Sequence, residues 1–225
     1  SYTAPLEKSS TISRGNDSTK YMFNPKVKRP SIFWHIAPSL QSQIGGPDGF
    51  YFGNLALSFH TEIILTSNLT FQASANAGIL NNYEDLKLLS DSVLPHVRTD
   101  QVLYAKESSN FNIPRFQFNY FHRLGKDTYS KISAGIFEAM FGGIGGEVLY
   151  RPFKKNYAVG VELWDVTQRA YDQKFSFNDY QTETGHLTLY YEEPRTNILL
   201  KIKGGKFLAG DSGFNFDFSR RFKSG

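Results

Sequence analysis

Apolar and polar residues alternate along this chain in runs of about ten, separated by short turn-forming stretches, and this pattern constrains its fold more than any other feature. Residues 141–169, FGGIGGEVLYRPFKKNYAVGVELWDVTQR, show it most fully. Ile144, Gly146, Val148 and Tyr150 alternate with Gly145, Glu147, Leu149 and Arg151. Lys154, Lys155 and Asn156 interrupt the pattern, and then Val159, Val161 and Leu163 alternate with Gly160, Glu162 and Trp164. Successive side chains of a strand point to opposite faces, so this is a hairpin with one apolar and one more polar face on each arm. Two folds satisfy that pattern. A soluble sandwich turns the apolar face inward, whereas a membrane barrel turns it outward to lipid.

The same alternation recurs along the chain. Leu69, Phe71, Ala73, Ala75 and Ala77 oppose Thr70, Gln72, Ser74, Asn76 and Gly78. Phe116, Phe118 and Tyr120 face away from Gln117, Asn119 and Arg123; Leu187 and Leu189 oppose His186 and Thr188. Phe214, Phe216 and Phe218 close the series against Asn215, Asp217 and Ser219. Pro38 cannot donate to a ladder, which marks residues 31–44 as an edge or bulged strand. Residues 81–100 hold Asn-Asn, several acids and Pro95 and read as a long loop or short helix; residues 102–104 read as a short strand. The expected fold is all-β, an antiparallel up-and-down meander of about ten strands, forming a transmembrane β-barrel or a large part of one. Residues 1–30 read as a linker or extended arm and residues 31–225 as the barrel segment.

Composition bears on which face is inside. Aromatics reach 16%, with 20 Phe and 13 Tyr, against 40% hydrophobic residues overall. A polar average with abundant aromatics suits a barrel with a wet lumen and aromatic girdles, and also an aromatic-rich soluble β protein. Residues 63–83 lack charge, but Thr, Ser, Asn and Gln interrupt them too often for a membrane helix. The repeated strand length, with Phe and Tyr near strand ends, favours the barrel. The net charge of +4 mildly favours an anionic partner and is too small to argue for nucleic acid. Cysteine is absent, so there is no disulfide framework or thiolate metal site. The chain opens on Ser1 without an initiator Met and ends on residues that resemble the start of another turn. It therefore reads as a mature or internal piece whose barrel needs further strands to close.

Catalytic motifs are weak. Gly210-Asp211-Ser212-Gly213 resembles a serine-protease nucleophile string, but it lies between two strands and reads better as a hairpin turn. Gly142–Gly146 lacks the spacing of a nucleotide loop, and no helix follows it. The five histidines, His35, His60, His96, His122 and His186, have no metal-ligand spacing. No cofactor or metal is expected, and no catalytic residue.

Three long strings resemble a known family: FGGIGGEVLYRPF at residues 141–153, WDVTQRAYDQKFSFNDYQTETGHLTLYY at 164–191 and AGDSGFNFDFSRRF at 209–222. SDSVLPHVRTD at residues 90–100 is a fourth. They are similar to the YjbH-like exopolysaccharide biosynthesis proteins of the Gram-negative outer membrane. The resemblance implies a non-enzymatic barrel that assists export of capsular or exopolysaccharide. The implied partners are the polysaccharide, outer-membrane lipid, periplasmic export proteins, and other strands of the parent chain or a second barrel segment. Members of that family look longer, and several are lipoproteins anchored through an N-terminal cysteine, which this chain lacks.

Two residue sets are candidates for polymer contact. Trp164, Asp165, Arg169, Tyr171, Asp172 and Tyr180 combine aromatic faces that stack on sugar rings with groups that hydrogen-bond hydroxyls and acids; an interfacial girdle with solvated loop charges explains them equally. Lys131, Arg151, Lys201 and Lys203 can form a basic lumenal track, or a paired network with Glu147, Glu162 and Asp217 that fills the interior. Two other functions fit the pattern: a soluble glycan-binding β-sandwich, and a barrel enzyme that modifies lipid or polysaccharide.

Overall fold

A computed structural model describes residues 29–220 and Phe222. The described residues form ten strands: β1 (Ser31–Ile44), β2 (Tyr51–Ile64), β3 (Leu69–Asn81), β4 (Phe111–Arg123), β5 (Thr128–Ile136), β6 (Phe141–Tyr150), β7 (Tyr157–Arg169), β8 (Phe177–Glu193), β9 (Ile198–Lys206) and β10 (Ser212–Arg220). Each pairs antiparallel with its neighbours in sequence, in one sheet ordered β1 to β10. Among the described residues β1 and β10 do not pair, so the sheet is open. The expected all-β up-and-down meander is therefore the observed fold. There is one sheet and not two packed layers, which removes the sandwich alternative. Pro38 lies on the edge strand β1, where a missing N–H is tolerated. The extended arm expected over residues 1–30 lies outside the described residues except for Arg29 and Pro30. The turn expected after Phe222 lies outside them too.

Register keeps one face mostly apolar and the other mostly polar from strand to strand. One cross-strand row runs Ile32, Ile63, Phe71, Phe118, Ala134, Ile144 over β1 to β6 and continues into the exposed carboxylates Asp165 and Glu183 of β7 and β8. Another on the same face runs Tyr150, Val159, Leu189, Ile202, Phe216 over β6 to β10. On the opposite face one row is Phe33, Glu62, Gln72, Gln117, Gly135, Gly143, Val166, Thr182, and another is Lys131, Glu147, Glu162, His186. The apolar face is the open one: Leu187 is 58% exposed and Phe216 60%. On the polar face Ser133 is 2% exposed and Thr188 3%. A flat single sheet would leave both faces comparably open, so the sheet curls around its polar face.

The curl passes through Gly135 and Gly143, which lie opposite one another in β5 and β6. Their φ angles are 126° and 158°. A Cβ on Gly135 would sit 2.2 Å from the Phe116 carbonyl oxygen, and one on Gly143 2.1 Å from that of Asp165. Only glycine fits where the bent backbone approaches its neighbour this closely.

Four connections at one end of the sheet, residues 65–68, 124–127, 151–156 and 194–197, are short turns. The other end carries the long segment 82–110, which holds a 3-10 turn (Tyr83–Asp85) and helix α1 (Gln101–Glu107). This segment is a strap between distant parts of the sheet. The N–H groups of Lys87 and Leu88 donate to Asp48 Oδ2 beside β2, both at 2.8 Å, while Gln168 Nε2 of β7 donates to the His96 carbonyl at 3.1 Å. Beneath the strap, Phe52, Tyr83 and Leu86 form a small apolar cluster with Val102 and Ala105 packed on it. The expected strand at residues 102–104 is thus part of a helix. Three consecutive apolar residues suit either element, and burial of Val102 with Ala105 at i,i+3 spacing selects the helix.

Gly135→Val is expected to lower stability by at least about 2 kcal/mol, because strain at a positive φ adds to the clash. Gly125→Ala, with nothing closer than 3.9 Å to an added Cβ, is expected to change it by less than about 0.5 kcal/mol. Urea unfolding of the two variants measures the difference.

Candidate functional site

The candidate site is the polar face of the sheet and the strap at its end. Side-chain amides run across four strands in a hydrogen-bonded ladder. Gln72 Nε2 donates to Glu62 Oε1 (3.2 Å), Gln117 Nε2 to Gln72 Oε1 (3.2 Å) and Asn119 Oδ1 (3.0 Å), and Ser133 Oγ to Asn119 Oδ1 (2.7 Å). Asn76 Nδ2 donates to Asn112 Oδ1 at 2.9 Å nearby. An unpaired buried polar group costs about 1–3 kcal/mol, so this mutual pairing lets the polar face be enclosed.

Of the expected basic track, Lys131, Lys201 and Lys203 share the polar face, and Arg151 follows β6 in the short turn at its end. Lys131 lies 3.8 Å from Glu147 and over the Trp164 ring. Lys203 is ion-paired with Glu162, whose carboxylate also lies 2.9 Å from His186 Nδ1. Lys201 stands over the Tyr190 ring, opposite Asp217 in register. The cations are thus interleaved with carboxylates and aromatics, as in the paired network.

The expected glycan contacts separate into three groups. Trp164 is half-buried on the polar face, edge-on to Phe137 with ring centroids 5.2 Å apart. Asp165 lies on the opposite, exposed face and accepts from Gln181 Nε2 at 2.8 Å. Arg169, Tyr171, Asp172 and Tyr180 belong to the strap end. Tyr180 donates to the Leu208 carbonyl at 2.6 Å, and Asp172 accepts from the Lys174 N–H at 3.1 Å.

Arg169 is completely buried. Its guanidinium donates to the carbonyls of Glu138 (2.7 Å), Ala139 (3.1 Å), Gln173 and Lys174 (2.8 Å). Its own carbonyl accepts from Tyr104 Oη of α1 at 2.5 Å. Burial pushes the Tyr104 hydroxyl up to about 12, so it stays protonated and donates. One arginine therefore joins the β5–β6 turn, the β7–β8 loop and the strap helix. With its two terminal nitrogens spent on backbone carbonyls, its Nε buried without a partner and no surface exposed, it organises the strap end. The sequence offered no sign of this, because backbone acceptors leave no residue signature.

Asp100 holds the strap from the other side. Its carboxylate lies 2.5 Å from His96 Nδ1 and accepts from Tyr171 Oη at 3.0 Å. His96 Nε2 lies 2.8 Å from the Ser92 carbonyl oxygen. Both ring nitrogens face acceptors, so the arrangement calls for an N–H on each, that is, for imidazolium. The Ser92 carbonyl first, and then Asp100, hold His96 above its ordinary range. Arg98 adds an ion pair to Glu138 at 2.6 Å and sits over the Phe141 ring.

Two measurements test this organisation. Arg169→Met is expected to destabilise the fold by about 3 kcal/mol or more, with Arg169→Lys recovering only part, since an ammonium cannot reach four carbonyls; denaturant unfolding reports both. For His96, a folded value raised above the unfolded 6.5 means the pairing contributes fully below about pH 6.5 and is lost as pH rises through the folded value. Amide-exchange protection of residues 92–100 is expected to fall over that interval, and to stay flat in His96→Gln.

The chain matches the family model described as exopolysaccharide biosynthesis protein YbjH over residues 3–225. It is 37% identical over 206 residues to a protein of Escherichia coli (strain K12) described as uncharacterized lipoprotein YjbH. That alignment covers 88% of this chain and 29% of the relative, so the chain spans less than a third of its length. No solved structure gives a significant match. The extent of the family match and the identity to this relative together show that the chain belongs to the YjbH exopolysaccharide biosynthesis family.

Proposed function

We propose that this chain forms part of the wall of an outer-membrane β-barrel that assists export of capsular or exopolysaccharide without catalysing a reaction. One observation carries the reading: over strands β2 to β8 the apolar face is the open one and the polar face is largely enclosed. In water a mainly apolar face of this size is unfavourable and prone to association; in a bilayer it is the face that lipid solvates. The outward tyrosines Tyr120, Tyr150, Tyr157 and Tyr191 gather near the short-turn end, as a girdle at a membrane interface does. Only short turns on one side, with the long segment 82–110 on the other, match the periplasmic and outer sides of such barrels.

The open edges of β1 and β10 are then closed by further strands of the parent protein or by a second barrel segment, since an unpaired edge is not stable in hydrocarbon. The enclosed face offers a polymer many hydroxyl, amide and paired-charge partners. Contacts of this kind are individually weak and repeated, which lets a chain be held and still advance. Periplasmic export proteins would deliver the polymer to the short-turn end.

Leu187→Arg, at an outward position of β8, is expected to cost about 2–4 kcal/mol of membrane-folded stability, and Thr196→Arg in a turn close to nothing. Heat-modifiable migration of the full-length protein in detergent, with recovery from the outer-membrane fraction, measures both. A protein that stays soluble without detergent and tolerates Leu187→Arg would contradict the reading.

A further inference from the structure

The strongest unassigned feature is a cleft of about 660 Å³ on the polar face where β1 to β4 meet the β5–β6 turn. Its floor is a cross-strand row, His35, His60, Ser74 and Arg115. The His35 and His60 rings stack with centroids 4.8 Å apart. Phe33 lines one side and Phe137 the other, while Gln72 and Glu62 supply the polar floor beside them.

Arg115 distinguishes this cleft from the rest of the polar face. Lys131 and Lys203 face carboxylates, Lys201 lies over the Tyr190 ring, Arg98 is paired with Glu138, and Arg169 directs its terminal nitrogens to backbone carbonyls. Arg115 is exposed in the cleft and makes no ion pair or hydrogen bond with any described residue. Of the carboxylates that share the cleft, Glu138 is paired with Arg98, and Glu62 keeps its charge while accepting from the Gln72 amide beside it. A free guanidinium presents a planar fork of donors that matches a carboxylate in two parallel hydrogen bonds. The aromatic walls suit the flat faces of a pyranose ring, and the amides suit its hydroxyls.

We propose that Arg115, with His35, His60 and Phe137, forms a subsite for an acidic sugar residue, a hexuronate whose carboxylate takes the Arg115 fork. The subsite deepens the export reading and rests on it for the polymer. The volume lies within the range of about 300–1,000 Å³ common to small-molecule sites. Trp164 continues the aromatic wall from Phe137, so a bound chain would run on from the cleft toward the Lys131–Glu147 pair.

The test uses the full-length protein and two oligosaccharides of equal length, one built of glucuronate and one of glucose, in calorimetric titration. The glucuronate oligomer is expected to bind at least about tenfold more tightly, and Arg115→Gln to erase that preference. Arg123→Gln, which alters a cation in the short-turn region, is expected to retain it. Equal binding of the two oligomers, or a preference intact in Arg115→Gln, would overturn the subsite. A measurement on the unaltered protein guards against misfolding of the variant: phenylglyoxal modification of Arg115, followed by mass spectrometry, is expected to be slowed by the glucuronate oligomer and not by the glucose oligomer. Absence of that protection would also overturn it. Arg115-dependent binding by a protein that never enters membranes would sustain the subsite and contradict the barrel. Normal insertion without Arg115-dependent binding would do the reverse.

Discussion

The structure depends on enclosing polar side chains on one face of a single sheet while leaving apolar side chains open on the other. A domain folding in water takes most of its stability from apolar burial, about 25 cal/mol per Å². Here the buried apolar cluster under the strap consists of Phe52, Tyr83 and Leu86 with two neighbours. It is small beside a ten-stranded sheet, so backbone ladders and side-chain polar pairing hold the curled face. The Glu62–Gln72–Gln117–Asn119–Ser133 ladder satisfies amides that would otherwise oppose closure. Under the proposed function, lipid covers the apolar face.

Enclosure also needs a bend and a tie. Gly135 and Gly143 provide the bend, because their missing Cβ atoms let adjacent backbones approach. The tie is the strap of residues 82–110, fixed near Asp48 at one end and to the Arg169 hub at the other. Arg169 contributes geometry and not surface charge: four carbonyls from two connections converge on one guanidinium. His96 adds a protonation-dependent closure to the same strap through Asp100 and Ser92.

Much of this was legible in the sequence, and the gaps have physical causes. Strand alternation has a period of two, so the faces of the β6–β7 hairpin and the run from Leu69 could be read directly. The pairing of Lys131 with Glu147 was open to reading as well, since both fall on polar phases of adjacent strands. The strap helix was not, because Val102, Leu103 and Tyr104 are apolar in succession and carry no period. The burial of Arg169 was not legible either, because sequence cannot distinguish a solvent-facing arginine from one held by backbone oxygens. Arg115 was missed for the related reason that its isolation depends on where the Arg98–Glu138 pair folds, far away in the chain.

The chain has two tryptophans, which stand in opposite environments. Trp34 stands exposed on the apolar face of β1, and Trp164 on the polar face of β7. Fluorescence quenching by brominated lipids in the full-length protein, with Trp164→Phe reporting Trp34 and Trp34→Phe reporting Trp164, therefore tests the central claim directly. Strong quenching of Trp34 with Trp164 spared is the expected result. Quenching of Trp164 with Trp34 spared, or of neither, would contradict it.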